Sequence, residues 1–176
     1  MAQRDLVKQL IVEFIGPFAL CFAGISAIVA TQGEDIVAIA LAHGLAIGLM
    51  ITAAGHISGG HFNPAVTLGF LAARRIEPVQ AGYYIAVQLL GGLFGALIAR
   101  VCFPAEAIDE VNGGIPALGA IADETVNAGQ ALVMEIVLTF FLVFVIFGAA
   151  VDGKTGRWIA GLAIGLIISV DILAGG

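Results

Sequence analysis

Long apolar runs broken by short polar intervals set the pattern of this chain. Five runs stand out, at residues 6–30, 36–54, 79–101, 128–151 and 158–173. A hydrocarbon core about 30 Å thick takes about 20 apolar residues as helix, so the pattern predicts five membrane-spanning helices. The first run follows Arg4 and Lys8 but is far longer than a signal-peptide core of about 7 to 15 residues. With further spans behind it, it reads as an uncleaved first helix. The intervals at 31–35, 102–127 and 152–157 are ordinary loops by this pattern.

The interval after the second run is different. Residues 55–69 read GHISGGHFNPAVTLG, followed by Arg74, Arg75 and Glu77. Asn63 is a favourable N-cap, and Pro64 suits the first helical position, where its missing N–H costs nothing. A helix from Asn63 to Ala73 would rise only about 16 Å, roughly half the hydrocarbon thickness, so it cannot cross. Val66, Leu68, Phe70 and Leu71 are too apolar for a cytosolic loop, so the segment predicts a half-helix that enters the membrane and returns at Arg74. The preceding HISGGHF is then irregular backbone at membrane depth, tolerated only where it is buried in protein or lines a watery cavity. With the N-terminus cytoplasmic and residues 55–75 returning to the side they left, Arg4, Lys8, Arg74, Arg75, Lys154 and Arg157 share the cytoplasmic side. Only Arg100 falls opposite, as the positive-inside rule asks.

Composition strengthens this picture. Hydrophobic residues make up 60% of the 176 and charged residues 11%, against about 25% charged in an ordinary soluble domain; mean hydropathy is +1.08. Thirteen acids face seven bases, and many acids gather between Glu106 and Glu124, which argues against a nucleic-acid partner. Cys21 and Cys102 sit in or beside apolar runs and read as unpaired small apolar side chains.

An internal repeat changes the picture further. GLAIGL occurs at residues 44–49 and again at 161–166, 117 positions on, and Glu13 in the first run is matched by Glu135 in the fourth, 122 on. Three crossings per copy would invert the second copy relative to the first, an architecture common in transport proteins, with function at the repeat interface near the midplane. The chain is therefore read as one domain, residues 1–176. Repeat one covers about 1–101, an acidic loop 102–127, and the start of repeat two 128–176. Carrying Asn63 forward by the repeat lands just past Gly176, so the native product is expected to continue into a second Asn-Pro half-helix.

The stretch His56-Ile57-Ser58-Gly59-Gly60-His61-Phe62-Asn63-Pro64-Ala65-Val66-Thr67, the glutamate in the first span of each half, and the closing Ala174-Gly175-Gly176 resemble the major intrinsic proteins, the aquaporins. The resemblance implies an all-α membrane fold, an inverted-repeat bundle of six helices and two half-helices. This chain would supply five helices and one half-helix. It also implies a tetramer with one pore per subunit, passing water and small neutral solutes such as ammonia, with membrane lipid around it. No cofactor, metal or enzymatic chemistry is implied.

By the same resemblance Asn63, Pro64 and Ala65 form the central constriction, and the carbonyls of Gly59, Gly60, His61 and Phe62 line the pore. His43 and Ile172 are two of the four positions of the outer selectivity filter. A half-helix N-terminus, carrying about half a positive charge, together with the Asn63 amide would orient a passing water and oppose cations.

Other readings of these residues stand beside it. His43 could be a helix-packing histidine. His56 and His61 lack the further ligands of a four-coordinate metal site; His56 is expected to anchor the loop. Glu13 and Glu135 could couple protons in a secondary transporter, or could accept hydrogen bonds from the re-entrant loop of each half, as the resemblance favours; Gln88 reads like them. A non-conducting membrane scaffold is the third reading. Gly44 with Gly48, Gly91 with Gly95 and Gly161 with Gly165 read as close helix contacts. Phe140, Phe141, Phe144 and Phe147 read as lipid or packing contacts, and Trp158 as an interfacial anchor. Asp171 is either solvated or bonded to a further loop.

Overall fold

The computed structural model describes residues 3–121, 124–154 and 156–175. Its helices follow the apolar runs: α1 Gln3–Ala30, α2 Ile36–Ser58, the half-helix α3 Pro64–Ala72, α4 Pro78–Cys102, a short α5 Ala105–Glu110, α6 Ala128–Ile146 and α7 Ala160–Gly175. α1, α2, α4 and the stretch from Ala128 to Val151 are each long and apolar enough to cross a membrane. α7, the fifth expected span, is a shorter apolar helix of 16 residues, about 24 Å long at 1.5 Å per residue.

Helix ends follow local chemistry. The Asp35 carboxylate accepts from Ala38 N at 2.9 Å to start α2. Asn127 and Gln130 form a reciprocal capping box on α6. α2 departs from the sequence reading: it continues through Gly55, His56 and Ile57 to Ser58 and stops at Gly59, a left-handed cap whose N–H bonds Gly55 O at 2.8 Å. The irregular backbone is therefore confined to Gly59–Phe62: Gly55 stays helical, and the chain leaves the helix at Gly59 and Gly60, which take φ of 98° and 65°.

The 102–127 interval is also more ordered than a plain loop. It holds α5, a turn at Asn112–Gly114, and a two-residue antiparallel ladder pairing Ala120 with Thr125. Ile108 is buried, and Gly114 packs on Ile25 and Ile28 of α1. Asp123, one of the segment's acids, lies outside the described residues.

Two close crossings build the bundle. α1 meets α4 where Gly91 and Gly95 face the Phe14 and Phe18 carbonyls; α2 meets α7 where Gly44 and Gly48 face Gly165 and Gly161. Without side chains at these points the backbones approach directly, which suits association in lipid, where no hydrophobic force pulls helices together. α6 packs chiefly on α7 and leaves Leu132, Val133, Ile136, Phe140 and Phe144 exposed. Phe147 instead turns inward, 4.9 Å from the Phe70 ring centroid. Trp158 is 84% exposed. Such apolar outer faces would be unfavourable in water and suit lipid contact. The buried apolar cluster joins Val12, Ile47, Phe62, Val66, Ile146 and Ile164, wrapped around the start of α3. Apart from that short ladder the described residues build only helices and connecting turns, and the protein is a multi-pass integral membrane protein.

Candidate functional site

Glu13 is fully buried in mid-α1 and accepts four hydrogen bonds. Its Oε1 takes the Ser58 hydroxyl at 2.6 Å and His61 N–H at 3.0 Å; its Oε2 takes Phe62 N–H and the Gln88 amide, each at 2.8 Å. Three different elements thereby converge on one carboxylate: the end of α2, the irregular segment and α4. A carboxylate buried in a bundle is costly unless every lone pair is used, and here the partners are in place.

These bonds also use up the donors of the irregular segment. Gly59 N–H goes to Gly55 O, Gly60 N–H to the Ser58 hydroxyl at 3.1 Å, and His61 and Phe62 N–H to Glu13. Among the described residues no hydrogen bond uses the carbonyls of Gly59, Gly60, His61 or Phe62. The backbone achieves this with φ of 98° at Gly59, 65° at Gly60 and 51° at Phe62, all left-handed. The first two need glycine; the third is borne by a phenylalanine.

Asn63 is the N-cap of α3: its Oδ1 accepts from Ala65 N at 2.7 Å. The oxygen is thereby engaged, and no hydrogen bond among the described residues uses the Nδ2 donors. Pro64 is the first helical residue. Thr67, fully buried, bonds Asn63 O and lies 3.0 Å from the Gln88 amide and 3.2 Å from His61 Nδ1. The His61 ring lies 4.1 Å from the Phe70 ring, tilted 34° to it, and meets Tyr84 edge-on, while the Tyr84 hydroxyl donates to Ser58 O at 2.8 Å.

Gly60 to Asn63 form one wall of a narrow cavity of about 20 Å³, faced by Ile47, Ile164 and Ile168. That is room for about one water, with polar backbone on one side and hydrocarbon on the other.

The remaining candidates lie elsewhere. His43 is half-buried on α2, with Nδ1 2.8 Å from Ile39 O and its ring against Gly24 of α1; Ile172 is half-buried near the end of α7. Neither lines the cavity beside Asn63. Glu135 is exposed on α6, and no hydrogen bond among the described residues uses it. Asp171 is half-buried with its Oδ1 shielded and unpartnered among the described residues.

His56, the expected loop anchor, is exposed on the last turn of α2; the Ser58 hydroxyl does that work instead, because α2 runs on and carries His56 outward. Sequence reasoning does not single out Ser58, Thr67 or Tyr84. Thr67 carries a usable signal, as a polar residue one helical turn after Asn63 on an otherwise apolar half-helix. Tyr84 carries none.

The family model for major intrinsic proteins matches residues 1–176. The chain belongs to the major intrinsic protein family. Within it, the chain is 41% identical to aquaporin-8 of Mus musculus over 98% of its own length and 66% of the relative's. It is 35% identical to a probable TIP-type alpha aquaporin of Phaseolus vulgaris, over 98% and 68% of the two chains, and 35% identical to nodulin-26 of Glycine max, over 97% and 61%. The X-ray structure of the aquaglyceroporin from Plasmodium falciparum superposes with a TM-score of 0.78 at 25% identity, covering 96% of this chain and 72% of that one. The chain thus spans about two-thirds of the length of the curated relatives it matches. The fold is the aquaporin-like helical bundle with a re-entrant half-helix.

Proposed function

We propose that the protein is a passive channel for water and small neutral solutes, ammonia among them, working as a homotetramer in a lipid bilayer with the N-terminus cytoplasmic. One observation supports the reading: the N–H groups of Gly59, Gly60, His61 and Phe62 are all bonded to protein, no hydrogen bond among the described residues uses their carbonyls, and Gly60 to Asn63 wall the cavity. Water passed along acceptors and turned at a donor beside a positive helix end moves without a continuous proton wire, and cations meet a barrier.

In this reading Asn63, Pro64 and Ala65 form the central constriction, and Gly59, Gly60, His61 and Phe62 supply acceptors. Glu13 holds their loop. His43 and Ile172 serve an outer filter, and Glu135 is assigned the counterpart of Glu13 in the second half. The chain is one domain in this reading, with repeat one at about 1–101, an acidic loop at 102–127 and the start of repeat two at 128–176; the reciprocal glycine crossing of α2 and α7 supports it. A transporter coupled through Glu13 is disfavoured, because all its hydrogen bonds go to structural donors.

The test is stopped-flow swelling of proteoliposomes carrying the native full-length protein. Fast swelling with no proton or ion coupling is the expected result; swelling that requires a proton gradient, or none above bare lipid, overturns the proposal.

A further inference from the structure

Phe62 is the one residue of the irregular segment whose conformation its own chemistry opposes. A left-handed backbone is unfavourable for a residue that carries a β-carbon, and such strain persists only where the surroundings over-determine it. Two contacts from α1 surround it. Its N–H is held by Glu13 at 2.8 Å, and its ring, 3% exposed, lies over Gly16. A Cβ built on Gly16 would collide with three atoms of that ring. Glu13 and Gly16 are three residues apart and so share one face of the helix, gripping the backbone and the side chain of the same residue.

We infer that Gly16 and Phe62 form a lock: the gap at Gly16 receives the Phe62 ring and thereby holds residue 62 left-handed, aiming its carbonyl and setting the position of the Asn63 cap. Gly16 is then a positioning residue for the conducting site, although it does not touch the cavity. The inference rests on the channel reading for its consequence, but the lock itself is a statement about backbone geometry. It differs from an ordinary glycine helix contact such as Gly91 on Phe14 O, where backbone meets backbone and no left-handed residue depends on the fit.

The experiment compares Gly16→Ala, Phe62→Ala and the double variant in the native full-length protein, at matched amounts of assembled channel. Two quantities are read: water permeability per channel, and hydrogen exchange of the His61 and Phe62 amides. Gly16→Ala should lower permeability about threefold or more, as overpacking shifts the ring and the backbone behind it, and should speed exchange of the Phe62 amide. In the Phe62→Ala background the methyl has no ring to displace, so adding Gly16→Ala should change neither quantity further. Should Gly16→Ala fail to accumulate, recovery of folded protein in the double variant supports the lock and continued failure counts against it. Wild-type permeability and exchange in Gly16→Ala, or effects of the two substitutions that simply add, overturn the inference. If the unmodified protein does not swell, the channel reading fails while the exchange measurement still decides the lock.

Discussion

Gly44 and Gly165 face each other across the α2–α7 crossing so closely that a Cβ on either would strike the other's carbonyl oxygen. One helical turn along, Gly48 and Gly161 repeat the arrangement, with a Cβ on Gly48 falling 2.8 Å from Gly161 O and one on Gly161 falling 2.6 Å from Gly48 O. The two GLAIGL copies, 117 residues apart in sequence, are therefore in mutual contact, each supplying two glycines to the other. Such self-complementary contact is the signature of a two-fold relation.

From this contact follows a stability difference between glycines. Gly44→Ala or Gly165→Ala must part the helices or bend them, and should destabilise the protein by about 1 to 3 kcal/mol. Gly82→Ala on α4, where among the described residues nothing beyond its own stretch of helix backbone lies within 4 Å of the added methyl, should leave stability unchanged or slightly raised. Thermal unfolding in detergent, followed by a thiol-reactive dye that reports cysteine exposure, separates the two outcomes; equal midpoints would contradict the close crossing.

Glu13→Gln keeps size but replaces one carboxylate oxygen with an N–H₂ group. Either orientation sets donors against donors, facing Ser58 and His61 or facing Phe62 and Gln88. Each stranded buried donor costs about 1 to 3 kcal/mol, so folded yield and water permeability should fall together. Gln88→Leu removes one donor and leaves Glu13 three partners, so it should be the milder change. The order of the two variants in swelling rate per folded channel checks this.

Asn63→Asp separates cap from donor. The aspartate can still accept from Ala65 N, so α3 should persist, whereas Asn63→Ala gives up a cap worth about 0.5 to 2 kcal/mol. The aspartate also places a negative charge where the amide donors were, cancelling the helix-end barrier. Water flux should drop and cation leak should rise in vesicles with an imposed potential; an Asn63→Asp protein as tight to cations as wild type would argue that Asn63 does not face the conduction path.

His43 is held by Ile39 O and fitted against Gly24. His43→Ala should widen the outer end of the pathway and admit larger neutral solutes such as glycerol. Gly24→Ala should displace the ring and alter the solute profile without touching Asn63. Unchanged uptake ratios in both variants would return His43 to a packing role.

Much of the architecture is legible along the chain because it rests on one-dimensional signals. Run length against bilayer thickness locates the spans; Asn63-Pro64 marks the start of a half-helix too short to cross; the GLAIGL copies announce the repeat. These depend on hydropathy, capping chemistry and spacing, all local in sequence. The end of α2 lies four residues beyond the last apolar residue of its run, because helix continuation through His56 depends on where a left-handed cap is available. The expected anchoring role of His56 goes with it.

What only the tertiary structure decided is which groups satisfy one another. Glu13 lies 45 to 75 residues from the donors it holds, and Tyr84 reaches Ser58 from another helix. Buried donors and acceptors must pair wherever geometry brings them together, and that convergence is a property of helix crossings, not of any window of sequence. The Gly16–Phe62 fit is the same kind of fact: a missing side chain on one helix and a strained backbone in a loop have meaning only once they are packed against each other.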